Sequence, residues 1–208
     1  MSEHYSEVNE APLSLIERKQ RAARMRIVDA ADQLFAERGF DGVSVTDIAE
    51  RAEVGRTTFF RHFKDKTEVV FAKEQAMFDA ITSATSEGRV LAPSVESLAG
   101  ALSALEPLVI QLVEYATADL DAYRQHALLV DMHEELRARE ALKHQLVALE
   151  FAQVLVKHGA SFDITTTAAQ LALACYSIGR TLAATPGDLV SATRAAFRNV
   201  LAIDSARS

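Results

Sequence analysis

Arg56, Thr57, Thr58, Arg61 and His62 fall within one short stretch of a chain of 208 residues. An arginine offers a planar fork of donors that meets guanine O6 and N7 in bidentate fashion. A threonine bonds a phosphate oxygen or touches a thymine methyl. Read as one helix over Arg56–Phe63, the stretch puts these polar groups on one side and Phe59 and Phe63 on the other. That is chemistry suited to a base-reading surface, provided other elements hold the helix up.

The preceding residues supply the support. Ser44 followed by Asp47 is a variant of the capping box and opens a helix whose inner face is Ile48, Ala49 and Ala52. Glu53-Val54-Gly55 is a three-residue break in which Val54 plugs the turn. The small side chain of Ala49 lets the two helices cross closely. Two short helices joined by a tight turn form a helix-turn-helix, the second of which fits the major groove. The competing reading is a solvated polar helix, which leaves the first helix, the break and Ala49 unexplained.

Upstream, Ile27, Ala30, Ala31, Leu34 and Phe35 mark one buried face of a helix over 17–39, ended at Gly39 by a left-handed residue. Arg18, Lys19, Arg21, Arg24 and Arg26 enter it as a basic run. They suit phosphates or a minor groove, or else a solvated face paired with acids such as Glu17. Downstream, Asp65 and Glu68 cap a fourth helix to about residue 86. A break over 87–93 follows, then helices over 94–118, interrupted near Glu106-Pro107, and over 119–131, 135–157, 164–184 and 187–203. Thr185, Pro186 and Asp188 cap the last. No strand alternation or internal repeat stands out, so the fold class is all-α.

Composition narrows the function. The net charge of −7 disfavours nucleic acid until it is divided: residues 17–66 hold 11 basic against 9 acidic residues, whereas 67–208 hold 11 against 17. The single cysteine, Cys175, forms no internal disulfide, which suits a reducing, cytoplasmic setting. No run of 18 or more uncharged apolar residues is evident, so no membrane span is expected. Nor does the acidic N-terminus have the form of a signal peptide. There is no glycine-rich phosphate loop, no nucleophile elbow and no zinc pair. His126 and His133 lack the i, i+4 spacing of ligands, so neither enzyme, metal site nor cofactor is expected.

Residues 24–72 resemble the DNA-binding domain of the TetR (tetracycline repressor) family. The likeness is carried by Gly39-Phe40, Asp47-Ile48-Ala49 and the R-H-F-x-x-K pattern from Arg61 to Lys66. It implies an N-terminal three-helix helix-turn-helix domain followed by a helical-bundle ligand-binding and dimerisation domain. The expected division is a disordered tail over 1–16, the reader over 17–64 and the body over 65–208. It implies DNA contact through Ser44, Thr46, Arg56, Thr57, Thr58, Phe60, Arg61 and His62, with Lys66 holding a phosphate at a helix start. Phe60 stands where the family often has tyrosine, and Gly55 where it often has serine, so one hydroxyl contact and one side-chain cap are missing.

The rest of the body diverges in such families. Met77, Phe78, Val109, Val113, Phe151, Leu155 and Tyr176 are candidates for a largely apolar effector, although each is also ordinary core. Tyr115, Tyr123, His126 and His133 offer polar contacts. The last two helices carry Leu171, Ile178, Leu182, Leu189, Ala196, Phe197 and Val200, more apolar surface than a chain end needs. A four-helix bundle across a two-fold axis would bury it, or the helices pack internally. The expectation is a ligand-responsive regulator. Its partners are double-stranded DNA at an inverted-repeat operator, a second copy of the chain and a small-molecule effector, with no membrane. The alternative is a helix-turn-helix adaptor that binds protein and has no DNA affinity.

Overall fold

Ser14 starts the first helix. Its Oγ accepts the Glu17 N–H at 3.2 Å, and the Glu17 carboxylate accepts the Ser14 N–H at 2.8 Å. This reciprocal cap sets α1 at Leu15–Arg38, two residues ahead of the expected start. The computed structural model describes residues 14–73, 75–76, 78–79 and 95–205. Met77, the break expected at 87–93 and residues 1–13 of the expected tail lie outside these. The remaining helices are α2 (Val45–Arg51), α3 (Arg56–His62), α4 (Lys66–Val70), α5 (Leu98–Ala116), α6 (Leu120–Met132), α7 (Glu134–Lys157), α8 (Phe162–Leu182) and α9 (Leu189–Ser205). A 3-10 turn at Pro186–Asp188 precedes the last. Every regular element among the described residues is helical, so the fold is all-α. Internal contacts divide the chain into two compact units that meet between Val70 and Phe71.

In the smaller unit, α1 buries Ile27, Ala31 and Leu34 against Ile48, Phe59 and Phe63, all nearly inaccessible. Phe35 and Phe40 meet with ring centroids 5.2 Å apart. Gly39 ends α1 with φ +71° but an extended ψ of 165°. The turn is therefore not the left-handed helical one expected, although it still demands positive φ.

The larger unit is organised around α8, which packs against α5, α7 and α9. Its buried side chains are Thr165, Ala168, Ala169, Ala172, Cys175 and Gly179, none larger than threonine. Facing them are the bulky core residues Leu102, Leu105, Leu108, Phe151, Leu155 and Phe197. The interruption expected at Glu106-Pro107 does not occur: Pro107 lies inside α5. Its ring is on the exposed side while Leu105 and Leu108 are buried. Water therefore reaches the backbone opposite the missing N–H, and packing on both sides offsets the ~3 kcal/mol that an interior proline costs. α5 is also the most apolar long helix among those described. With mean hydropathy 1.3 it is long and apolar enough to cross a membrane by length and composition. Here it carries Glu106 and Glu114 and buries its apolar side against α8 and α9.

α8 and α9 approach most closely at Gly179. A Cβ built there falls 2.3 Å from Thr193 Oγ1, 2.8 Å from Thr193 Cα and 2.9 Å from its N. Thr193 is fully buried, and its hydroxyl has no hydrogen-bond partner. Because two of the three clashing atoms are backbone, rotating Thr193 does not relieve them. Alanine gains about 1 kcal/mol of helix propensity over glycine, while overpacking costs about 1–3 kcal/mol. Gly179→Ala is predicted to lower the urea midpoint by a net loss of up to about 2 kcal/mol. An unchanged or higher midpoint would mean that the two helices separate freely.

Candidate nucleic-acid interface and ligand cavity

The α2–α3 turn is built from backbone bonds. Ala49 O accepts the Val54 N–H at 3.0 Å, and Glu50 O accepts the Glu53 N–H at 3.1 Å. Glu53 has φ +53°, the only non-glycine residue at positive φ among those described, so the left-handed position of the turn is not at Gly55. Gly55 instead caps α3. Its carbonyl accepts Thr58 N–H at 2.8 Å and Phe59 N–H at 3.0 Å, and no side chain caps the helix. Ser44 caps α2, and its hydroxyl is engaged with Asp47. Arg51 ties α2 back to α1 through two bonds to Glu37, at 3.1 and 2.9 Å.

With Phe59 buried beneath it, α3 presents Arg56, Thr57, Phe60 and Arg61 to solvent, with Thr58 half-buried. Arg56 lies 6.0 Å over the Phe60 ring, and Arg61 donates to Thr58 Oγ1 at 3.5 Å. Thr46 is half-buried in the first turn of α2. Lys66 is placed differently from a surface phosphate ligand. Its Nζ donates to Phe40 O at 2.8 Å and Val43 O at 3.1 Å, and stands 4.1 Å from the Phe40 ring centroid. It clips the connection between α1 and α2 to the start of α4. In the basic run, Arg24 stacks 5.0 Å over Phe63, whereas Arg18, Lys19, Arg21 and Arg26 are exposed.

His62 is half-buried, and its Nε2 is buried without a hydrogen-bond partner. Burial pushes its pKa below the ordinary value, and the charges of Arg61 and Arg24 push the same way.

The larger unit holds a cavity of about 100 Å³. Five of the seven residues singled out for the effector line it: Phe78, Val109, Val113, Phe151 and Tyr176. Leu155 does not, being part of the closed core. Tyr115 and Tyr123 also line it, but His126 and His133 do not. Hydrophobic periodicity gave no reason to select Glu140, Lys143 or His144. They lie on the cavity side of α7 because they share its helical face with Val147 and Phe151. Arg180 donates to Glu140 Oε1 at 2.7 Å and stacks over Tyr176. Burial opposes its charge, but Tyr176, Glu140 and Tyr123 outweigh that and raise its pKa. Cys175 is fully buried, and burial, helped by Glu106, pushes its thiol up to about 11. Such a thiol is not poised as a thiolate.

Of the residues expected at a dimer interface, Leu189, Ala196 and Phe197 are corrected: they are buried in the chain's own core, filling the space beside α5 and α8. Leu171 and Val200 are half-buried. Ile178 and Leu182 remain exposed, at 41% and 66%. The neighbouring α7 exposes Leu142, Leu146 and Leu149 at i, i+4 and i+7.

A trihelical unit with a tight α2–α3 turn and a solvent-facing third helix defines a helix-turn-helix protein. Residues 27–72 match the sequence model of the bacterial regulatory proteins of the tetR family, and this segment is similar to that family's. The HTH-type transcriptional regulator TcmR of Streptomyces glaucescens is 33% identical over 91 residues, which cover 44% of this chain and 40% of that protein. YvkB of Bacillus subtilis is 42% identical over 52 residues, 25% of this chain and 28% of its own length. These matches thus span less than half of the curated relatives. Among solved structures, Thermus thermophilus FadR aligns with a TM-score of 0.51 at 24% identity, covering 86% of this chain and 93% of that one. A TetR regulator from Rhodococcus sp. RHA1 aligns at 0.51 and 20% identity, covering 88% and 97%. At these identities the likeness is one of fold.

The lowered His62 pKa has a definite sign. The unfolded chain takes up a proton near pH 6.5, while the folded state resists it. His62 therefore contributes stability above pH 6.5 that is lost as pH falls through and below that value. Between about pH 7.5 and 5.5 the protein is predicted to lose more stability in urea than His62→Gln does. Parallel losses would mean that the imidazole is freely hydrated.

Proposed function

We propose that the chain is a dimeric, ligand-responsive DNA-binding transcriptional regulator, a repressor released from an inverted-repeat operator by a small molecule. The observation that carries this reading is the solvent-facing set Arg56, Thr57 and Arg61 on α3, with Phe59 buried behind it and the tight turn at Glu53 in front. Arg56, Thr57 and Thr58 meet bases and phosphates in the major groove, Arg61 and Thr46 meet the backbone beside it, and Phe60 packs under Arg56. Ser44 contributes by capping α2. His62 and Lys66 act by holding the reader in shape.

A two-fold dimer presents two such helices roughly 34–36 Å apart, which demands an inverted repeat. The exposed Ile178 and Leu182 on α8 support a second copy covering that face. The cavity in the larger unit supports a small, largely apolar effector. FadR of Thermus thermophilus, a chain of this fold, is described in complex with lauroyl-CoA, which supports the same class of control. The effector acts only if it prefers the form of the dimer whose helices are wrongly spaced for DNA. A cytoplasmic setting follows from this reading, because the proposed target is genomic DNA.

Fragmented genomic DNA selected by the purified protein at moderate salt is predicted to yield an inverted repeat, with affinity falling steeply as salt rises. On the best repeat, Arg56→Ala costs about 1–3 kcal/mol and relaxes base preference. Lys66→Met, by contrast, lowers the thermal midpoint, because two carbonyls lose their donor. Equal loss on random DNA for Arg56→Ala would refute base reading. No enriched sequence from a folded dimer, even at low salt, would favour the protein-binding adaptor. In sedimentation, Leu182→Asp is predicted to leave a helical monomer, and a persisting dimer would place the interface elsewhere.

A further inference from the structure

Aromatic rings reach the cavity of the larger unit from four helices: Tyr115 on α5, Tyr123 on α6, Phe151 on α7 and Tyr176 on α8. Three of the chain's four tyrosines are thus gathered at one place. Phe78 joins them and meets Phe151 edge to face, with centroids 5.8 Å apart and an interplanar angle of 65°. Tyr176 is held from two directions, with the His144 ring edge-on at 5.6 Å and the Arg180 guanidinium 5.9 Å over it. Branched aliphatic walls suffice to enclose an alkyl chain. Rings held in place offer flat faces and polar edges, which gain beyond buried area when they meet another ring.

The ionic groups at the cavity are directed at the chain itself. Glu140 is the one acid among the lining residues, and Arg180, which does not line the cavity, donates to its carboxylate at 2.7 Å. Lys143 is the one lysine or arginine among them. Its Nζ stands 5.4 Å from the centroid of Phe71, a ring outside the lining. A charged ligand leaves water at a cost and regains it only by parting a contact that the chain already makes. An uncharged ligand bears no such cost. A tyrosine hydroxyl both donates and accepts, so it can add a bond to a neutral oxygen substituent. At about 100 Å³ the cavity is small beside sites for drug-sized molecules, which suits a single ring.

We propose that the cavity takes, as its effector, a small uncharged aromatic molecule: one ring carrying a hydroxyl or carbonyl group. The ring lies against Phe151 and Tyr176, and the oxygen faces the tyrosine hydroxyls. This rests on the reading of the cavity as the effector site.

The test is calorimetric titration of the full chain at neutral pH with four probes of similar outline. They are 4-ethylphenol, its saturated counterpart 4-ethylcyclohexanol, the anion 4-ethylbenzoate and the cation 4-ethylbenzylammonium. 4-Ethylphenol is expected to bind one site per chain about three- to tenfold more tightly than the saturated alcohol, the gain of one or two ring contacts. It is expected to bind about tenfold more tightly than either ion. Tyr176→Leu keeps apolar bulk at the wall and is expected to remove the margin over 4-ethylcyclohexanol without weakening that alcohol. Tyr115→Leu, at a position 44% exposed, is expected to narrow the same margin and serves if Tyr176→Leu does not fold. Equal or tighter binding of the saturated alcohol overturns the aromatic class, and tighter binding of either ion overturns the uncharged one. A margin unchanged in both variants puts the binding outside the cavity and overturns the proposal, as does no binding of any probe to the folded protein. If 4-ethylphenol binds as expected and leaves the protein on its selected inverted repeat, the ligand class stands and the effector-site reading beneath it falls.

Discussion

Helix–helix distance is set by the side chains at the contact, and the larger unit depends on how little side chain α8 buries. Thr165, Ala168, Ala169, Ala172, Cys175 and Gly179 recur at helical spacing. α5, α7 and α9 can therefore pack closely around one axis. Apolar burial is then supplied mostly by the surrounding helices, through leucines and phenylalanines that reach across to the narrow helix. The larger residues that α8 carries between these positions, Leu173 and Tyr176, are half-buried and turn to the cavity. Close packing on one side of the helix and space on another thus follow from the alternation of small and large side chains along a single element.

The smaller unit solves a different problem: three short helices must hold a polar surface steady with few residues. It does so by placing aromatic rings, Phe35, Phe40, Phe59 and Phe63, where the helices meet. It also spends charged groups on internal work. Lys66 satisfies two carbonyls left open where the chain turns from α1 to α2. Arg51 and Arg24 join elements in the same way. Apart from Phe60, what remains at the surface of α3 is polar and carries no acid, which is the condition that base reading requires.

Much of this was legible from local sequence, because capping is a short-range affair. Ser44 with Asp47 and Thr185 with Asp188 form the expected reciprocal caps. Pro107 was misleading because residue type speaks for a local penalty, whereas the outcome turned on which side of α5 meets water. Leu189, Ala196 and Phe197 were equally opaque. Their periodicity marks a buried face, but it does not say whether the covering helix belongs to the same chain. At the candidate sites, the polar face of α3 followed from spacing alone. The commitment of Lys66 to Phe40 and Val43 required knowing which residues distant in sequence meet. The same holds for Glu140, Lys143 and His144, polar residues that an apolar pattern passes over.

Charge in the smaller unit is arranged in blocks along the chain. The cations from Arg18 to Arg26 and from Arg56 to Lys64 contain no acid between them within each block, while Asp29, Asp32, Glu37, Asp41, Asp47, Glu50 and Glu53 all fall in the intervening stretch. Several of those acids are occupied: Glu37 with Arg51, and Asp47 with Ser44 and Arg38. The stretch 17–66, with 11 basic against 9 acidic residues, has so small an excess of positive charge that it exerts little pull from afar. At 0.1 M ionic strength its field fades over about 10 Å. Segregation of sign matters more than the total at that range, so the unit meets a polyanion as an oriented multipole. Attraction then grows only once the correct side is turned toward its target, and misoriented encounters gain little.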